Sequence, residues 1–92
     1  MSRSNRVLIG NKPVMNYVVA SLTILYQGEN EIILRARGKA ISTAVDVAEM
    51  LRRVFVKGLN VKAINIGSEE IAGQSKEKFS ISIIEINLYK NN

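Results

Sequence analysis

Gly10-Asn11-Lys12-Pro13 is the stretch of this chain best suited to holding an anion. An apolar run, Val7-Leu8-Ile9, ends at Gly10, and helical spacing begins at Pro13. Proline suits the first helical turn, where its missing N–H has no intrahelical partner to lose. A helix start also carries unpaired N–H groups and the positive end of the helix dipole. Lys12 adds a fixed charge at that point, so a strand feeding this loop into a helix could grip a phosphate. The same residues equally describe an ordinary strand-to-helix turn that carries a lysine.

A second basic stretch follows, Arg35-Ala36-Arg37-Gly38-Lys39. Arginines two apart on an extended segment point to one face. In an alternating strand–helix order this loop opens at the same sheet edge as the Lys12 loop. Solvated charge at a strand end is the plainer reading, but two basic loops on one edge make a patch. Asp46 and Glu49, three apart on a helical stretch, lack a nucleophile or metal ligand beside them and read as surface charges paired with Arg52 or Arg53. The chain has no cysteine and no histidine. Disulfide frameworks, zinc fingers, thiol catalysis and imidazole bases are thereby excluded. One aspartate and seven scattered glutamates show no metal-binding cluster of the kind phosphodiester cleavage needs, so no catalytic residue, metal or cofactor is expected. Tyr17, Tyr26 and Tyr89 read as core or helix-packing residues rather than base-stacking platforms. Were the partner a nucleic acid, sequence-specific readout would therefore not be expected, although Arg35 or Arg37 could reach a base edge.

The elements that position these residues follow from patterning. Ninety-two residues, 47% of them apolar and spread along the length, describe one small globular domain over 1–92. A chain of this size buries only about 60–65% of its extended surface, so a dimer interface would supplement its core. Thirteen Lys and Arg against eight Asp and Glu give a net charge of +5. That favours a polyanionic partner without choosing among DNA, RNA and anionic lipid. No long apolar span or signal peptide is visible, so a soluble intracellular protein is expected.

Val7 to Ile9 reads as a strand buried on both faces or in mid-sheet. Val14, Val18, Leu22 and Leu25, backed by Met15, Val19 and Tyr26, predict an amphipathic helix from Pro13 to about Gln27, capped by Gly28. Glu31 to Ala36 is the second strand. Ser42 is the expected N-cap of a second helix running to about Phe55, with Ala44, Val45, Ala48, Leu51 and Phe55 inside and Val47, Met50 and Val54 widening the stripe. Val61 to Ile66 begins a third strand, and the polar stretch 67–78 reads as a hairpin arm with a mobile end. In the last strand Phe79, Ile81 and Ile83 share one parity and Ile84, Ile86 and Leu88 the other, which predicts a bulge near Ile83-Ile84. The fold expected is an α/β (α+β) two-layer sandwich: βαβαββ, a mixed four-stranded sheet, two helices on one face and a long hairpin.

Gly10-Asn11-Lys12-Pro13-Val14-Met15-Asn16-Tyr17-Val18, then Arg35-Ala36-Arg37-Gly38-Lys39-Ala40-Ile41-Ser42 and Ala44-Val45-Asp46, resembles the Alba family of archaeal chromatin proteins. The likeness extends to Ile66-Gly67-Ser68 and Ile83-Ile84-Glu85-Ile86. The resemblance implies a cytoplasmic, chromosome-associated homodimer that coats and condenses double-stranded DNA with little sequence preference and also binds RNA. It implies nucleic-acid contacts by Lys12, Arg35, Arg37 and Lys39, joined by Asn11 and Asn16, with Lys76 and Lys78 on hairpin arms that reach along the grooves. It assigns Phe55 and Arg52 to contacts between neighbouring dimers. Many members carry two lysines in the first loop, the first being an acetylation site; here that position is Asn11, which cannot be acetylated. Glu69, Glu70 and Glu77 also nearly cancel Lys76 and Lys78 on the arm. An RNA-directed role, as an RNA chaperone or ribonucleoprotein subunit, is the alternative, and a protein-interaction module without nucleic acid is the remaining one. No membrane partner is expected.

Overall fold

In the computed structural model residues 5–72 and 78–91 are described, Ala72 and Lys78 by their backbone alone. The order is β1 (Arg6–Leu8), α1 (Val14–Tyr26), β2 (Glu31–Arg37), a 3-10 turn (Gly38–Ala40), α2 (Ile41–Met50), a closing π turn (Leu51–Phe55), β3 (Leu59–Ala72) and β4 (Lys78–Lys90). The strands form one four-stranded sheet in the order β1-β2-β4-β3. β1 runs parallel to β2, and β4 runs antiparallel to both of its neighbours. The expected βαβαββ two-layer sandwich is the observed one.

The core forms because β2 alternates cleanly. Ile32, Leu34 and Ala36 are buried opposite Leu88, Ile86 and Ile84 of β4, and Val18, Ala44, Val47, Ala48 and Leu51 of the helices close over that face. Each fully buried leucine or isoleucine contributes about 1.5–3 kcal/mol relative to exposure. The alternate residues of β2, among them Arg35 and Arg37, therefore lie on the sheet face opposite the helices.

Several expectations are corrected in detail. The first apolar run is covered on one face alone: Val7 and Ile9 are buried in the core, whereas Leu8 between them points to the open face and is exposed. α1 starts one residue later than expected, with Pro13 as its N-cap residue. Its buried face centres on Tyr17, Val18 and Ser21, leaving Met15, Val19 and Tyr26 exposed. Gly28 does cap the helix: it takes φ 102° and its N–H reaches Leu25 O at 3.1 Å. Ser42 is not an N-cap but an exposed residue of the first turn of α2. The preceding 3-10 turn already sets helical dihedrals at Ala40 (φ −79°, ψ −7°), so no side-chain cap starts the helix. At the other end Val56 N–H bonds Leu51 O at 2.8 Å, one residue beyond α-helical spacing. That extra residue swings Phe55 outward to 44% exposure. Within the regular part of α2, Val47, expected at the margin of the stripe, is fully buried, whereas Val45 is exposed.

β4 pairs without interruption through Ile83 and Ile84; the bulge lies on β3, between Val61 and Ala63. The phase change in β4 instead records which face is covered. Ile84, Ile86 and Leu88 face the helices, whereas Ile81 and Ile83 are half-buried where the arm begins. β3 and β4 pair from Leu59↔Lys90 out to Ala72↔Lys78, but β2 accompanies β4 only to Ile83. The rest is a two-stranded arm projecting past the sheet. The tip, with the expected mobile end and Lys76, lies outside the described residues, as does the Lys78 side chain.

Candidate nucleic-acid interface

β1 and β2 are parallel, so each delivers its following loop to the same end of the sheet. Gly10 and Asn11 from the first loop and Arg37, Lys39 and Ala40 from the second line one cleft of about 580 Å³, together with Leu8, Ile9, Arg35, Ala36 and Glu69. A shallower hollow lies on the other flank of the first loop, bordered by Arg6, Lys12, Asn16 and Tyr17, and Leu8 borders both. The two basic motifs thus meet through Asn11, Arg37 and Lys39, whereas Lys12 and Asn16 border the neighbouring hollow and not the cleft itself. Neither helix has an acidic residue in its first turn to compensate the dipole, and Val14 and Met15 carry N–H groups that α1 leaves without intrahelical partners.

The first loop is held by a residue that patterning identified only as core. Tyr17 is buried, and its hydroxyl accepts hydrogen bonds from the N–H groups of both Gly10 and Lys12, each at 2.9 Å. A tyrosine four residues into the helix thereby fixes the backbone that presents Lys12. The sequence carried no signal of this beyond a polar tip on a core residue. Tyr17→Phe removes one acceptor from two donors, at an expected cost of about 1–3 kcal/mol. Amide exchange at Gly10 and Lys12 is expected to accelerate well beyond the rest of the chain; unchanged protection at these two amides would refute the latch.

The second loop turns at Gly38, which takes φ +57°, where a Cβ would come within 2.8 Å of Ile81 Cδ1. Only glycine supplies that backbone against the arm so closely. Arg35 and Arg37 share a face, as two-residue spacing requires, but they are not bare cations. Arg35 Nη1 donates to Glu85 Oε2 at 2.8 Å and its Nη2 to Glu69 Oε2 at 3.4 Å. Arg37 Nη1 lies 3.7 Å from Glu69 Oε1, and Arg6 Nη1 lies 3.8 Å from Glu85 Oε2. Charges therefore alternate across the open face: Arg6, Glu85, Arg35, Glu69, Arg37. Arg35 is partly buried in this chain, whereas Arg37 is 62% exposed at its outer end.

Phe55 and Arg52 lie elsewhere. Phe55 borders a hollow with Leu22, Leu25, Tyr26, Val56, Lys57 and Lys90. Glu49 binds both Arg52 and Arg53, as spacing predicted, and these two hydrogen bonds, Arg53 first, hold its carboxyl below the usual range. Arg52 is thus engaged within its own helix. Among the described residues no group of three or more metal-ligating side chains occurs, and no helix is long and apolar enough to cross a membrane.

The fold and site define a class: a two-layer α+β protein whose parallel strand pair opens a basic cleft beside a projecting hairpin. The Alba sequence model matches residues 5–68. The chain is 46% identical over 86 residues to the DNA/RNA-binding protein Alba of Methanocella arvoryzae, covering 94% of this chain and 90% of that protein. It is 49% identical over 86 residues to the DNA/RNA-binding protein Alba 1 of Archaeoglobus fulgidus, covering 94% and 96%. The solved structure of Alba from Thermoplasma volcanium superposes with a TM-score of 0.86 at 40% identity, covering 92% of this chain and 99% of that one. The chain belongs to the Alba family.

Proposed function

We propose that this protein binds nucleic acid without catalysis, holding the phosphate backbone in the cleft between its two basic loops. The observation that carries the reading is the meeting of Asn11, Arg37 and Lys39 at one sheet end, with Lys12 on the adjoining flank and two uncompensated helix starts behind them. Lys12, Arg37 and Lys39 neutralise phosphates, Arg35 adds a positioned fork, and Asn11 and Asn16 donate hydrogen bonds. Contacts of this kind carry little sequence information, so double-stranded DNA is bound generally and the protein is chromosome-associated. Lys76 and Lys78 on the hairpin arm extend the contact along the duplex.

The working unit is a homodimer. Val61, Ile64 and Ile66 of β3 oppose Leu88, Ile86 and Ile84 on the helix side of the sheet, yet lie outboard of the helices. Ile66 is 81% exposed and Ile64 56% exposed, on an edge strand. An apolar edge strand left open invites pairing, and a second copy satisfies it. Phe55 and Arg52 then serve contacts between dimers. The names of the relatives, DNA/RNA-binding proteins, favour RNA as a second ligand. Competition between a duplex DNA and a structured RNA of equal length, at several salt concentrations, tests the reading. Strong salt-dependent binding to duplex is expected; binding to RNA alone would transfer the function to a ribonucleoprotein, and binding to neither would remove it.

A further inference from the structure

A carboxylate at the side of a phosphate cleft is an anomaly, because it repels the ligand. Glu69 stands there, on β3 where the arm leaves the sheet, and its two oxygens face the two arginines of the second loop separately: Oε2 toward Arg35 at 3.4 Å and Oε1 toward Arg37 at 3.7 Å. Guanidinium forks recognise carboxylate and phosphate with the same geometry. Glu69 therefore occupies the arginine donors that an incoming phosphate would use. Glu85 plays a different part. It holds Arg35 at 2.8 Å and is only 24% exposed, so it fixes that side chain on the sheet. Glu69 is 40% exposed, and its longer contacts are of the weak, exchangeable kind.

We propose that Glu69 is an internal competitor for phosphate, setting the affinity of the cleft by engaging Arg35 and Arg37 until nucleic acid displaces it. The proposal rests on the phosphate-cleft reading above. Displacement leaves the carboxylate on the cleft wall, where it opposes the bound backbone and keeps binding readily reversible. It also gives the arm a role independent of its lysines, since Glu69 belongs to β3.

The test uses the full chain and a short duplex DNA titrated across salt. Glu69→Gln keeps shape and removes charge. It is expected to tighten binding about 3- to 10-fold near 0.1 M salt and to steepen the log–log salt slope by up to about 0.9, one further phosphate effectively neutralised. Glu70→Gln makes the same charge change one residue along, on the other face of the strand, and is expected to shift affinity by no more than about twofold at that salt. In an Arg37→Ala background the gain from Glu69→Gln is expected to shrink, which a charge-count effect would not produce. Glu69→Gln binding no more tightly than Glu70→Gln, or more weakly than the wild type, overturns the proposal. If Arg37→Ala alone weakens binding while Glu69→Gln gains nothing, only the role of Glu69 fails. If Arg37→Ala also changes nothing, the phosphate cleft itself fails.

Discussion

Lys12→Ala combined with Arg37→Ala is expected to reduce the log–log salt slope of duplex binding by up to about 1.8, at roughly 0.9 for each phosphate no longer neutralised. A slope difference of that size accumulates to roughly 60-fold weaker binding over the decade from about 1 M to 0.1 M salt. The two residues stand on opposite flanks of one loop end, Lys12 exposed beside the shallow hollow and Arg37 62% exposed at the cleft. Removing Arg37 also deprives Glu69 of one partner, which adds repulsion to the lost attraction. Folding is expected to survive, because neither side chain belongs to the buried core. Fluorescence anisotropy across salt, with a thermal melt of each variant, reads both quantities. An unchanged slope in a folded double variant would remove these residues from the interface.

The second large effect concerns assembly. Ile64→Gln with Ile66→Gln replaces two exposed apolar side chains on β3 by neutral polar ones, so net charge and any phosphate contacts are left alone. In a dimer closed over this strand, two amides per subunit would be buried without partners, at about 1–3 kcal/mol each. Four such groups raise the dimer dissociation constant by at least about a thousandfold, since every 1.4 kcal/mol is a factor of ten. Sedimentation velocity is expected to show a dimer for the wild type and a folded monomer for the variant. Duplex affinity should then fall roughly 100-fold or more through lost bivalency, although no basic residue has changed. A variant that still sediments as a dimer would move the interface off β3.

How much of this was legible in the sequence varies with the physics involved. Alternation of Ile32, Leu34 and Ala36 and the two-residue spacing of Arg35 and Arg37 are local properties of an extended chain, and they gave the right faces. The parallel order brought the two basic loops together as expected, because topology alone decides where such loops open. Helix stripes were legible only to within a rotation. Phe55 was misplaced because a π turn adds a residue that no spacing rule announces, and Val45 because the buried stripe through Ala44, Val47, Ala48 and Leu51 leaves it one position to the side. Ser42 misled for a related reason: a 3-10 turn had already started the helix. The bulge was placed on the wrong strand because a phase change in apolar pattern looks the same whether the strand kinks or its cover changes sides. Two features of the site were beyond the reach of patterning. The Tyr17 hydroxyl bonding Gly10 and Lys12 depends on where one atom ends. The pairing of Arg35 with Glu69 and Glu85, 34 and 50 residues away, depends on register across the sheet. Counting charges along the arm set Glu69 against Lys76 and Lys78, whereas its carboxylate faces the second loop.

The most direct test of the phosphate cleft is an amide chemical-shift map of the protein titrated with a short duplex DNA. The largest changes are expected at Asn11 and Lys12, at Val14 and Met15 in the first turn of α1, and from Arg37 to Ala40. Changes concentrated instead at the far ends of the helices, around Tyr26 to Gly28 and Glu49 to Gly58, would contradict a phosphate site between the two basic loops.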